Sequence, residues 1–143
     1  MTGYDLDRFK KAQARDYALA LEEIREGHKR SHWIWYIFPQ IKGLGFSGMS
    51  EYYGIADLAE AKAYMKDTVL RARLLEICGE LLKHKGKSVS GIFGYPDNLK
   101  VRSCLTLFSI AAPEERLFRE VLDAFYDGKA DSRTMMLLKQ RIT

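Results

Sequence analysis

A run of aromatic residues between two polar side chains is the part of the sequence with the clearest potential for chemistry. It extends from Ser31 to Gln40 and contains both tryptophans of the chain, Trp33 and Trp35. His32 stands just before them, and a neutral imidazole can transfer a proton or hydrogen-bond a ligand. Polar groups beside an apolar run are costly to bury without partners. His32 and Gln40 are therefore interpreted either as ligand contacts or as structural ties.

The segment after this run is rich in glycine. Residues Gly43–Gly48 formally match the pattern G-x-G-x-x-G. A dinucleotide-binding fingerprint requires a strand before this pattern and a helix after it within a βαβ unit, and the surrounding sequence does not predict that context. A tight loop that allows close approach of helices or of a ligand is favoured instead. Gly43 and Gly45 are thus candidate ligand contacts.

A second polar string, from Asp97 to Ser103, supplies positive charge. If it opens a helix, Asp97 is expected to be the N-cap, and the free amide groups there favour an anion. Lys100 follows one turn later, on a face with Ser103. A basic, hydroxyl-bearing face suits a phosphorylated ligand, although a solvated helix surface is the alternative.

Two further side chains belong to the predicted pocket. Gln13 falls on the apolar stripe of the first predicted helix, where a buried amide needs partners; it is either a structural tie or a ligand contact. Trp33 and Trp35 lie about 200° apart if the aromatic run is helical. One tryptophan is therefore expected to be buried and the other to lie near a ligand cavity.

The elements that position these residues are predicted to be helices throughout. Asp5 is expected to cap a first helix that ends at Glu26 before Gly27, and Ser31 to cap an aromatic helix that ends at Pro39. Other helices are each predicted to begin at a residue that favours the N-cap or the first helical position. These residues are Asp57, Asp67, Ser88, Pro113 and Asp131. The expected architecture is all-α, with seven or eight helices in a single domain over residues 1–143.

Composition excludes several classes of protein. No apolar run approaches the roughly 20 residues of a membrane span, which favours a cytoplasmic protein without membrane contact. Cys78 and Cys104 are expected to be reduced core residues, although a bridge between them stays open. No metal-ligand spacing is present, and no cofactor is expected. Nucleic acid is disfavoured as a partner, because no basic and aromatic stripe occurs.

Several stretches of the sequence resemble the bacterial family catalogued as domain of unknown function 1810, whose members are often mislabelled calpastatin. The resemblance extends over nearly the whole chain. It is carried by Asp7-Arg8-Phe9, Ser31–Gln40, Gly43-Leu44-Gly45, Phe93-Gly94-Tyr95-Pro96-Asp97 and Thr106-Leu107-Phe108. It implies a small all-helical cytosolic protein and no established activity.

The sequence favours a module that binds a small phosphorylated or nucleotide-derived ligand, with hydrolysis as one activity that such a pocket could support. The expected pocket shares residues of the aromatic run, the glycine loop and the basic string. These are Gln13, His32, Trp33, Trp35, Gln40, Gly43, Gly45 and Lys100. The alternative is a non-enzymatic interaction module whose aromatic stretch is core. A cavity reached by both His32 and Lys100 would favour the first, and a flat apolar patch the second.

Overall fold

The computed structural model describes residues 4–141 as a succession of α-helices. Their bounds are α1 (Asp7–Glu26), α2 (Ile34–Ile37), α3 (Gly48–Tyr53), α4 (Leu58–Lys66), α5 (Thr68–Leu82), α6 (Val89–Phe93), α7 (Asp97–Ala111), α8 (Leu117–Tyr126) and α9 (Ser132–Gln140). The only β-type pairing in this part of the chain is an isolated parallel bridge between Ile41 and Ile55. The all-α prediction is confirmed, and the described residues form nine helices rather than seven or eight. The additional helix is α3, where Ser47 caps a segment whose glycines predicted a loop.

Several helix starts follow their local capping signals. The side chains of four residues accept a hydrogen bond from a backbone amide in the first helical turn, as predicted. They are Asp57 for α4, Asp67 for α5, Ser88 for α6 and Asp131 for α9. Gly27 ends α1 in the left-handed conformation and donates to carbonyl groups of the last turn.

Other predicted starts are wrong. The N-cap of α1 is Leu6 and makes no side-chain hydrogen bond, so Asp5 is not a cap. Ser31 does not cap the aromatic run, because its hydroxyl donates to Glu23 Oε2 at 2.6 Å, and only Ile34–Ile37 is helical there. Pro113 lies in a turn, and α8 begins four residues later at Leu117.

Helix α7 lies at the centre of the packing. It contacts α4, α6, α8 and α9, and every residue from Ser103 to Ser109 is buried. A helix that is enclosed on all sides requires small or apolar residues around its circumference. Cys104 of α7 and Cys78 of α5 are free and buried, which confirms the predicted reduced core cysteines. Burial raises the pKa of the Cys78 thiol to about 12 and also raises that of Cys104.

The carboxylate of Glu23 fastens the aromatic run to α1. Its Oε1 accepts from the indole Nε1 of Trp33 at 2.9 Å and from the backbone amides of Arg30 at 2.9 Å and Ser31 at 3.1 Å. The Ser31 hydroxyl donates to Oε2, so the Glu23 carboxylate accepts four hydrogen bonds. Glu23 is only 3% exposed. This one buried acid therefore fixes the entry of the chain into the aromatic run.

We predict that Glu23→Gln lowers the free energy of unfolding by about 1–3 kcal/mol, because the Ser31 hydroxyl loses its acceptor Oε2 and the three donors on Oε1 keep only a neutral acceptor. Urea unfolding at pH 7 measures this. Glu22→Gln is the matched control, since Glu22 is the exposed neighbour. Equal stability of the two variants would contradict the role given to Glu23.

The effect of Glu23→Gln should also depend on pH. Burial alone raises the pKa of Glu23, but the hydrogen bonds from Ser31, Arg30 and Trp33 outweigh it and lower the pKa. The stabilisation is therefore fully present above the unfolded pKa of about 4.3 and is lost as the pH falls through the lower folded pKa. The stability gap between wild type and Glu23→Gln should narrow below about pH 4.

Candidate functional site

A cleft of about 400 Å³ opens between the loop after α2 and the helices α7 and α9. Its walls come from three parts of the chain. The aromatic run and loop supply Trp35, Gln40, Leu44 and Gly45; the start of α7 supplies Pro96, Leu99, Lys100, Arg102 and Ser103; the start of α9 supplies Asp131 and Arg133. A volume of this order is typical of small-molecule sites.

The loop that forms one wall is held by a short backbone pairing. Ile55 donates to the carbonyl of Gln40 at 2.9 Å, and Lys42 donates to the carbonyl of Ile55 at 2.8 Å. Gly54 allows this approach, because a Cβ there would lie 2.7 Å from Cβ of Lys42. Gly43 has a φ of +108°, and a Cβ there would lie 2.8 Å from the guanidinium of Arg141. Both glycines are required by the path of the loop.

The structure brings four of the predicted site residues together in the cleft: Trp35, Gln40, Gly45 and Lys100. Gln40 is buried, and its Nε2 donates to the carbonyl of Phe38 at 3.4 Å. Lys100 Nζ lies 4.2 Å from the centroid of the Trp35 ring. The aromatic run and the basic string therefore meet at this cleft.

Gln13 and Trp33 lie outside the cleft and have structural partners. Gln13 Nε2 donates to the carbonyl of Tyr36 at 2.8 Å and to the hydroxyl of Tyr64 at 3.0 Å. Trp33 is 1% exposed and packs near Phe38 and Phe93, with ring centroids 6.1 and 6.5 Å away. Trp35 is only partly buried, so the two tryptophans differ in burial as predicted. The helical spacing on which that prediction relied does not apply, because Trp33 lies outside α2.

His32 and Gly43 also lie apart from the cleft walls. His32 is exposed, and it lies two residues before the start of α2 at Ile34. The expectation that His32 and Lys100 reach one cavity is therefore not met. Gly43 faces Arg141 and Leu137, whereas Gly45 lines the cleft.

The carboxylate of Asp97 organises the charges at one end of the cleft. It pairs with Lys29 at 2.8 Å and with Lys100 at 3.1 Å. Lys29 Nζ lies 5.0 Å from the centroid of Trp33, just as Lys100 lies over Trp35. Burial raises the pKa of Asp97, but the two ammonium groups outweigh it and lower the pKa. Asp97 is the first residue of α7 and does not cap it, contrary to the prediction.

Arg102, Arg133 and Asp131 complete the polar lining. Asp131 Oδ1 lies 3.9 Å from Arg102, while Oδ2 accepts from the Ser103 hydroxyl at 3.1 Å. Arg102 Nε is buried and has no hydrogen-bond partner among the described residues. In the described part of the chain, the Arg133 side chain makes one hydrogen bond, from Nη1 to the carbonyl of Leu44 at 3.5 Å. The lining thus carries three cations and one carboxylate, whose Oδ2 is already bonded.

Sequence reasoning missed Arg133 and gave Asp131 only a capping role. Arg102 falls within the predicted polar string from Asp97 to Ser103 but was not singled out, although it and Ser103 lie three and four residues after Leu99, on the same side of the helix. That spacing was the available signal for Arg102. No local pattern marks Arg133, because its proximity to Leu44 depends on how α9 packs.

Two classes of site are not formed by the residues that the structure describes. Within 4–141, no group of three or more histidine, cysteine or acidic side chains could hold a metal ion. The same part of the chain contains no helix with the length and apolarity needed to traverse a bilayer.

Comparison with known proteins gives one family and one solved structure. Residues 3–138 match the family model described as "Protein of unknown function (DUF1810)". The chain is similar to the conserved hypothetical protein Rv1873 from Mycobacterium tuberculosis, whose crystal structure was determined at 1.38 Å. The two chains are 44% identical over 95% of this chain and 97% of that chain, with a TM-score of 0.93. No curated protein matches significantly.

We predict that Asp97→Asn lowers the free energy of unfolding by about 3 kcal/mol, because it leaves the nearly buried ammonium of Lys29 without its counter-charge. Urea unfolding at pH 7 measures the loss. Asp123→Asn removes an exposed carboxylate elsewhere and should change little. If the two variants unfold alike, the double ion pair does not support the fold.

Proposed function

The chain belongs to the DUF1810 family, as its sequence strings predicted, and we propose that its cleft binds a small phosphorylated ligand. Nucleotide-derived compounds fall within this class. The phosphate group is the part of the ligand that the cleft recognises.

The observation that carries the proposal is the charge of the lining. Lys100, Arg102 and Arg133 line one concave space, and among residues 4–141 Asp131 is the only acidic residue in its walls. Like charges that line one cleft focus a field into it and attract an oppositely charged ligand. A phosphate has several strong acceptor oxygens, and it would neutralise this excess of positive charge.

The two arginines fit this role best. Arg102 lines the cleft, and its Nη2 lies 3.9 Å from the carboxylate of Asp131, so the guanidinium is free to make a closer charge-assisted contact with an anion. Arg133 is exposed and makes one long bond to the backbone, so its guanidinium is available for a paired contact with two phosphate oxygens. Lys100 contributes charge from a position fixed by Asp97 and Trp35.

The alternative, a protein-interaction module, is supported by the burial of the aromatic run. Trp33, Ile34, Tyr36, Ile37 and Phe38 all belong to the core. Because these residues are buried in the core, they need no ligand to explain them. Their burial does not explain the basic cleft beside them. The cleft is concave and charged, which favours a small ligand over a flat apolar interface.

Hydrolysis is not part of the proposal. The Ser103 hydroxyl has one proton, and two acceptors lie within hydrogen-bond distance of it: Asp131 Oδ2 at 3.1 Å and the carbonyl of Leu99 at 3.2 Å. Among residues 4–141 no histidine lines the cleft, so these walls lack the nucleophile and base arrangement that activates a serine.

We predict that ribose 5-phosphate stabilises the wild-type protein against heat and that Arg133→Ala removes most of this effect. A ligand at a hundredfold excess over its Kd adds about 2.7 kcal/mol of stability. Loss of one charge-assisted contact costs roughly 1.5–3 kcal/mol of affinity. The thermal shift, measured at one ligand concentration for each variant, reports both.

Two controls separate this result from a general effect on stability. Lys139→Ala removes an exposed cation from the same helix as Arg133, and His32→Ala removes the exposed histidine outside the cleft. Both variants should keep the wild-type shift. The proposal fails if ribose 5-phosphate, inorganic phosphate and adenosine 5′-monophosphate all leave the wild type unshifted, or if Arg133→Ala and Lys139→Ala behave alike.

A further inference from the structure

Two aromatic side chains stand almost fully in solvent on segments that also supply residues to the cleft. Phe46 is 93% exposed and Tyr95 is 80% exposed, whereas the next most exposed aromatic residue, Tyr52, is 58% exposed and forms an edge-to-face pair with Tyr53. Within residues 4–141, neither Phe46 nor Tyr95 forms a ring pair or a cation–π contact. Both ring faces are therefore open to a planar ligand group.

Their positions tie them to the cleft from two sides. Phe46 directly follows Gly45 in the loop that forms one wall, and Tyr95 directly precedes Pro96 in another wall. Neighbouring Cα atoms are about 3.8 Å apart, so each residue begins beside a residue that lines the cleft. These two positions are called the rim.

The tryptophan inside the cleft is less available for stacking than its sequence suggested. Lys100 Nζ already lies 4.2 Å from the centroid of the Trp35 ring. A planar group that used this face would have to displace an ammonium that is also paired with Asp97 at 3.1 Å. The uncovered rings at the rim meet no such competitor.

We propose that Phe46 and Tyr95 hold the aromatic base of a nucleotide whose phosphate lies among Lys100, Arg102 and Arg133. This inference rests on the proposed function and narrows its ligand class from phosphorylated compounds to nucleotides. Stacking on aromatic side chains is tolerant of base identity, because every base has a π-face. A sugar phosphate uses only the basic interior, whereas a nucleotide uses both the interior and the rim.

Isothermal titration calorimetry at pH 7 with adenosine 5′-monophosphate and ribose 5-phosphate tests the inference. The wild type should bind the nucleotide on the order of tenfold more tightly, as expected for stacking of one base. Phe46→Ala and Tyr95→Ala should each lose several-fold in affinity for the nucleotide and keep their affinity for ribose 5-phosphate. Phe46→Tyr should retain nucleotide binding, because it keeps the ring.

Leu19→Ala is the matched control, since Leu19 is an exposed apolar residue on α1 that does not line the cleft. Equal wild-type affinity for both compounds overturns the inference and leaves the proposed function standing. The same holds if Phe46→Ala and Tyr95→Ala bind the nucleotide like Leu19→Ala. A sedimentation mass that falls in the two ring variants also overturns it, because the rings would then contact a second copy. If the wild type binds neither compound, both proposals fall.

Discussion

The double ion pair of Asp97 joins the two most distinctive strings of this sequence. Its carboxylate lies between Lys29 and Lys100, and each ammonium group lies over one of the tryptophans. The start of α7 is thereby fixed against the aromatic run, and Lys100 is fixed at the edge of the cleft. Without this carboxylate, two cations would face each other across an apolar surface. The shape and the charge of the candidate site both depend on it.

The helices were predictable where their signals are local. Asp57, Asp67, Ser88 and Asp131 cap helices because a cap needs only its own side chain and an amide two or three residues later. The signal failed where a distant group competes for the same side chain. The Ser31 hydroxyl binds Glu23, and Asp97 binds two lysines instead of the amides of α7.

The candidate site was predictable in part for the same reason. Trp35, Gln40, Gly45 and Lys100 lie in conspicuous strings, and they do line one cleft. His32 belongs to the same string as Trp35 but lies before the short helix α2 and does not line the cleft, and the continuous apolar run does not reveal where that helix begins. Arg133 reaches the loop only through packing of α9, which periodicity does not determine.

An NMR titration of the ¹⁵N-labelled protein with ribose 5-phosphate tests most directly whether the cleft is the ligand site. Backbone amide shifts report the position of a ligand without any substitution in the protein. If the cleft is the site, saturable shifts are expected at amides around the cleft, foremost those of Gly45, Lys100, Ser103 and Arg133, with the amide of His32 unmoved. Shifts that cluster away from these residues, or none at millimolar ligand, would contradict it.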